Sequence, residues 1–284
     1  MTPRRGFTLV EVLLALLIMG VVTGAIYRLL DTNQRLSLAQ AEQVSLQSNV
    51  RTGSLVVPSE LRELNTWGGG AADRNDVIDA DPDAVEYRAS RGLGLLCQVS
   101  IANELRIADA TWTGIRDPNF PRDDLYLFVD GDIEEDEDDT WLQVDVTGVA
   151  PSNSACGAGQ AGWILTVPGV AAGFAINTPV RLFERMRLQL TPADGQWWLG
   201  ARSISGGDAA LTPVLGPLTD DGFALQYFDS TGAVTADLTA IKSIRITMQG
   251  LTEDAVRVGG TGAVGHPEET LATQVLLRNS IRPE

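Results

Sequence analysis

Apolar residues run almost unbroken from Phe7 to Tyr27, a stretch of 21 residues whose single charge is Glu11. About 20 helical residues cross a hydrocarbon core of ~30 Å, so this segment is long enough to span a bilayer. A carboxylate at membrane depth is costly unless it is paired or neutralised, and an ordinary anchor has no reason to carry one. Downstream, Arg28 to Val57 holds no proline and one glycine, Gly53. Val50, Val57, Leu61 and Leu64, with Ser54 between, recur at helical spacing and predict a stripe that packs on a sheet. Pro58 interrupts that stripe, either kinking the helix or opening a second one with Ser59 and Glu60 in its first turn. Trp67 and the run Gly68-Gly69-Gly70 end it. Continuous from Phe7 to Val57, the helix would be roughly 75 Å long.

From Val77 onward the period changes to two. Ala84–Arg88, Leu105–Ile107, Leu125–Val129, Trp141–Val146, Trp163–Val167, Val180–Leu190 and Gln196–Arg202 read as strands. Phe223–Phe228, Ile241–Met248 and Thr273–Ile281 complete the set. Thr191-Pro192-Ala193-Asp194-Gly195 is a turn sequence that makes a hairpin of the strands on either side. The Gly-rich stretch Val258 to His266 reads as a loop. Helix first and strands afterwards is an α+β pattern. The expected divisions are residues 1–6, an apolar span at 7–27, its helical continuation at 28–66 and a β-rich antiparallel head at 77–284.

The residues before the apolar run narrow this further. Arg4 and Arg5 precede Gly6-Phe7-Thr8-Leu9-Val10-Glu11. This register of basic leader, glycine, phenylalanine and glutamate resembles the N-terminus of type IV prepilins and type II secretion pseudopilins. A secretory signal peptide has a shorter apolar region, no internal acid and a small-residue cleavage site, to which Gly20, Gly24 and Ala25 are a weak approximation. The resemblance implies cleavage after Gly6 by a prepilin peptidase and N-methylation of Phe7. It also implies that Glu11 neutralises the terminal amine of a neighbouring subunit, making it an assembly contact. A buried carboxylate and a buried ammonium are each costly alone, and paired they fix a register. Gly20 and Gly24 form a small-xxx-small pair that permits close helix approach or simply loosens the helix. A helix half in membrane and half packed on a head is the pilin shape. The β-rich half, through Trp197-Trp198, the block Leu215 to Gly232 and the ending Val275 to Asn279, resembles the larger W-type minor pilins and the J-type pseudopilins. Length favours the W type.

Charge, cysteines and loops change the picture less. Lys and Arg total 21 against 37 Asp and Glu, for a net charge of −16, and Lys242 is the lone lysine. Such a surface repels phosphate backbones, so no nucleic acid is expected as a partner. Cys97 and Cys156 are either bonded, as an oxidising compartment favours, or two separate buried thiols. The run Asp130 to Asp139 holds eight acids in ten residues. It is either a solvated, self-repelling loop tip or a calcium site built from Asp130, Asp132, Glu134, Asp136 and Asp138. It fails the EF-hand spacing, having Glu135 and Trp141 where glycine and glutamate are required. His266 is the one histidine and has no nucleophile motif to serve, and Val258-Gly259-Gly260-Thr261-Gly262 lacks the Lys-Ser/Thr of a P-loop. Of Trp197 and Trp198, which point to opposite faces of a strand, one belongs to the core and the other is an interface anchor or a packing residue.

The expected protein is therefore structural and not an enzyme: a minor pilin of a type IV pilus or related filament, with no cofactor beyond the calcium just considered. The alternatives are a J-like pseudopilin of a type II secretion system and a membrane-tethered binding or adhesion module. Its expected partners are other pilin or pseudopilin subunits through the N-terminal helix, the prepilin peptidase, the inner-membrane assembly platform and membrane lipid. Arg4 and Arg5 keep the N-terminal end cytoplasmic, placing a single-pass protein in the inner membrane with its head in the periplasm, or at the cell surface in a filament.

Overall fold

The computed structural model describes residues 8–66, 75–130, 140–257 and 263–277. One helix, α1 (Leu9–Arg62), 54 residues long, precedes a β-rich antiparallel region, the expected α+β arrangement. The strands are β1 (Val77–Ala80), β2 (Ala84–Leu95), β3 (Glu104–Ala108), β4 (Thr113–Gly114) and β5 (Asp124–Val129). They continue with β6 (Thr140–Val144), β7 (Gly148–Ser152), β8 (Gly162–Thr166), β9 (Pro179–Ala193) and β10 (Gln196–Ser203). The last are β11 (Thr212–Phe228), β12 (Ser243–Leu251), β13 (Val256–Arg257), β14 (Val264–Gly265) and β15 (Glu268–Leu276). The described residues fall into two compact units: those up to Ser48 with those of Leu251–Glu269, and those of Asn49–Gly250 with those from Thr270 onward.

In the first unit, α1 carries the apolar segment and then Arg35, which bonds Asp31 one turn earlier at 3.0 Å. β13 and β14 pair as a short hairpin, and Glu42 on the helix accepts the Asp254 backbone amide at 3.2 Å.

The second unit is the larger. Its main sheet runs in the order β1-β2-β9-β10-β11-β12-β15, with β4 beside β2 and the β5–β6 pair beside β9. The C-terminal part of α1 lies on this sheet, and its buried residues Val50, Gly53, Val57 and Leu61, with Leu64 just beyond its end, follow the three-and-four spacing read from the sequence. Each fully buried Val or Leu is worth about 1.5–3 kcal/mol. Gly53 is the point of closest approach: a Cβ there would meet Leu215 Cδ2 at 2.2 Å and Met248 Sδ at 2.6 Å. Asn49 fixes the same contact by donating to the Gly216 carbonyl at 3.1 Å.

Pro58 neither ends α1 nor starts a second helix; it is buried inside a continuous one. Neighbouring hydroxyls take up carbonyls around it, Ser59 donating to Val56 at 2.7 Å and Ser54 to Arg51 at 2.8 Å. The helix stops at Arg62, four residues short of the expected 66. Stronger partners take the chain at that point. The Asn65 amide donates to the Asp76 carboxylate at 2.8 Å, the Asp76 amide returns to the Asn65 carbonyl at 2.9 Å, and the buried Thr66 hydroxyl donates to Ile241. Trp67 and Gly68–Gly70, expected to end the helix, lie outside the described residues.

The β9–β10 hairpin turns tighter than expected. Strand pairing continues to Ala193↔Gln196, leaving Asp194 and Gly195 as a two-residue turn with φ of 52° and 78°. Two positive φ values are the type I′ geometry that Asp-Gly favours. Other strands differ from expectation as well: β2 runs on to Leu95 and β11 begins at Thr212. β6 ends at Val144, β12 begins at Ser243, and β15 starts at Glu268 rather than Thr273.

A second sheet, β3-β8-β7, closes over β2, β5 and β9. Its core joins Leu105, Ile107, Trp163 and Leu165 to Leu125, Leu127, Val180 and Leu182. Gly92, Gly94 and Gly114 form a flat platform under Trp112. A Cβ on Gly92 would stand 2.2 Å from that ring, and Trp112 then meets Trp163 edge-on at 5.5 Å.

Candidate functional site

The N-terminal end of α1 is closed by its own side chains. Thr8 precedes the helix, and its backbone amide and hydroxyl donate to Glu11 Oε2 at 2.9 and 3.1 Å. In return the Glu11 amide donates to Thr8 Oγ1 at 3.3 Å. Threonine at the N-cap and glutamate three positions into the helix make a reciprocal capping box, which satisfies amides that the first turn leaves without partners. The signal Thr-x-x-Glu is readable in the sequence, and the reading above passed over it. Its effect is to turn the Glu11 carboxylate back toward Thr8 at the start of the helix.

Every side chain from Thr8 to Leu30 is exposed, including Leu9 at 78%, Leu17 at 65% and Tyr27 at 71%. This part of α1 has a mean hydropathy of 2.5 over its most apolar window, and by length and composition it is able to cross a membrane. A helix apolar all round with no protein against it asks for lipid or other apolar helices. Gly20 and Gly24 lie on an open shallow groove with Ala25 and Leu29, and among the described residues nothing beyond the local helix backbone stands within 4 Å of a Cβ built on either glycine.

The other residues singled out in the sequence are dispersed. Gly6 and Phe7 lie outside the described residues, as do Asp132, Glu134, Asp136 and Asp138 of the acidic run; Asp130 is exposed. Among the described residues no three His, Cys, Asp or Glu side chains are placed to hold a metal ion. His266 is exposed, with Nδ1 2.8 Å from the Thr252 carbonyl. Trp197 is 38% exposed, while Trp198 is half-buried against Gly216, where a Cβ would stand 2.9 Å from its ring.

Cys97 and Cys156 are joined in a disulfide, Cα to Cα 5.4 Å, that closes a 59-residue separation and ties the end of β2 to the segment after β7. Arg106 on β3 reinforces the junction, donating to Gln98 and to the Ala155 carbonyl at 3.2 Å each.

One constellation escaped the sequence reading. Buried Glu184 on β9 accepts from Arg91 Nε at 2.8 Å, from Arg116 Nη2 at 3.2 Å and from Arg122 Nη1 at 3.2 Å. Arg91 also reaches Glu60 on α1 at 3.3 Å. Burial pushes the Glu184 carboxyl up, but hydrogen bonds from Ser203, Arg91 and Arg116 outweigh it and bring it down to about 2. Burial raises the Tyr87 hydroxyl above its ordinary value, with Glu60 adding to the effect. No pairwise spacing announces these contacts, because the partners come from five separate segments.

The first 27 residues match the sequence family described as the prokaryotic N-terminal methylation motif. No curated protein and no solved structure gives a significant match to the chain. An apolar helix of membrane-spanning length within such a motif fits a protein anchored in the inner membrane. The chain thus carries a prokaryotic N-terminal methylation motif over residues 1–27.

Proposed function

We propose that the protein is a minor pilin, an initiating or tip subunit of a type IV pilus or related filament. The observation that carries this reading is the methylation motif overlapping an exposed apolar span whose one acid, Glu11, is bonded back to Thr8 at the start of the helix. In this reading a prepilin peptidase cuts after Gly6, Phe7 becomes the methylated terminus, and the helix stays in the inner membrane until an assembly platform extracts it. Arg4 and Arg5 orient the chain so that the β-rich region lies in the periplasm. During assembly the Glu11 carboxylate receives the terminal amine of an adjacent subunit, and the apolar face of α1 exchanges lipid for other helices. A large head is hard to repeat along a tight helical array, which favours the tip over the shaft.

The test is incorporation. Glu11→Ala should leave the chain in the membrane fraction and remove it from sheared filaments. A variant that enters filaments as the parent does would contradict the amine-pairing role.

A further inference from the structure

The cluster around Glu184 does more than fill space. β2 and β9 pair regularly except that Ser90 faces Phe183 and Gly92 faces Leu182, so Arg91 has no partner across the ladder. It is the extra residue of a β-bulge, a device that re-aims a side chain. The bulge turns the Arg91 side chain, 9% exposed, between Glu60 of α1 and Glu184 of β9. Its carbonyl meanwhile accepts the Ile115 amide at 3.2 Å, at the start of the loop 115–123.

That loop depends on the same cluster for its shape. Arg116 grips Asp123 through two parallel bonds of 2.8 and 2.5 Å, and its Nη2 also reaches Glu184. Asp123 in turn accepts the Asn119 amide at 2.6 Å, closing the loop on itself. Arg122 links Glu184 to Asp208 at 3.2 and 2.9 Å. The three arginines thus share Glu184, and each couples it to a different segment. A buried ionic cluster is weak evidence of stability, and its best-attested use is to specify one arrangement over others.

We propose that the Arg91 bulge is a strut through which the seating of α1 on the sheet sets the conformation of the 115–123 loop. Glu60 is the sensing end. Its side chain is 35% exposed, so it remains hydrated when Arg91 lets go, whereas Glu184 does not. If α1 shifts along or about its axis, Arg91 loses Glu60, leans wholly on Glu184, and competes there with Arg116 and Arg122. The loop would then loosen without a change in the neighbouring hairpins. This coupling is independent of whether the chain assembles into a filament.

Hydrogen exchange read by mass spectrometry on the full chain in detergent tests it. Glu60→Gln should speed amide exchange across Ile115–Asp123 by about tenfold while leaving β10 and β11 at parental rates. Arg91→Lys, which keeps the charge and loses the fork, competes less for Glu184 and should leave the loop near parental rates. Ser59→Ala, in the same helical turn but with its hydroxyl donated to the Val56 carbonyl of the same helix, should leave the loop unchanged. Parental loop exchange in Glu60→Gln, or acceleration in Arg91→Lys equal to that in Glu60→Gln, would overturn the proposal. So would acceleration by one common factor in every peptide, because that is general destabilisation.

Discussion

Thr8 and Glu11 close the head of α1 on each other: Oε2 of Glu11 takes both the amide and the hydroxyl of Thr8, at 2.9 and 3.1 Å, and gives back its own amide. The acid is therefore engaged within its own chain, with its second oxygen unclaimed among the described residues. Losing an N-cap hydroxyl costs about 1 kcal/mol. Thr8→Ala should speed amide exchange over Leu9–Leu13 by about fivefold in detergent, and Thr8→Ser should not. Equal exchange in all three chains would contradict the box.

The Cys97–Cys156 bridge closes a loop long enough to constrain the unfolded chain by about 4 kcal/mol on the chain-entropy account. Cys97→Ser with Cys156→Ser should lower the denaturation midpoint accordingly, and reductant should do the same to the parent. Insensitivity of the parent to reductant would contradict a structural bridge.

Legibility varied with how local the determining physics was. The helix stripe was readable because Val50, Val57, Leu61 and Leu64 sit on one element with one period. The Asp194-Gly195 turn was readable because two positive φ values demand those residue types. β2 beyond Arg88 was not, because Gly92 and Gly94 look like breakers until Trp112, 20 and 18 positions later, is seen lying on them. Nor was the first half of β11, where Pro213, Gly216 and Pro217 read as loop. Pro213 pairs opposite Gly200, and a bulge between Leu215 and Leu218 takes up Gly216 and Pro217. At the site, Glu11 stood out as a charge in an apolar run, whereas its capping role needed Thr8 to be read with it. The Glu184 cluster was hidden because its members meet only in three dimensions.

Asp76 carries a pH dependence of definite sign. Burial raises its carboxyl from an ordinary 3.8 to about 6, against the Asn65 amide and the charges of Arg88 and Arg181. The folded chain holds this proton more tightly than the unfolded one, so stability is full below pH 3.8 and falls as pH rises through 6. The span corresponds to about 3 kcal/mol. Asp76→Asn, which keeps an acceptor for Asn65, should be more stable than the parent at pH 7.5 and equal to it at pH 3.5 in denaturant titrations. A gain independent of pH would contradict burial as its cause.

Glu184 works in the opposite direction. A carboxyl lowered from 4.5 to about 2 supports the fold above pH 4.5, and that support drains away as pH falls toward 2. Glu184→Gln leaves Arg91, Arg116 and Arg122 without their shared anion and should cost about 3–5 kcal/mol at neutral pH. The variant should also lose most of the parent's steepening between pH 4.5 and 2 in acid unfolding. Retention of the full parental acid transition would place its origin elsewhere.

The central claim rests on what happens at Gly6 and Phe7. The chain is to be expressed with and without a prepilin peptidase, and its N-terminus determined by mass spectrometry. The account predicts an intact Met1 without the peptidase, and with it a chain that begins at a methylated Phe7. An intact Met1 in the presence of the peptidase, or cleavage near Ala25, would contradict it.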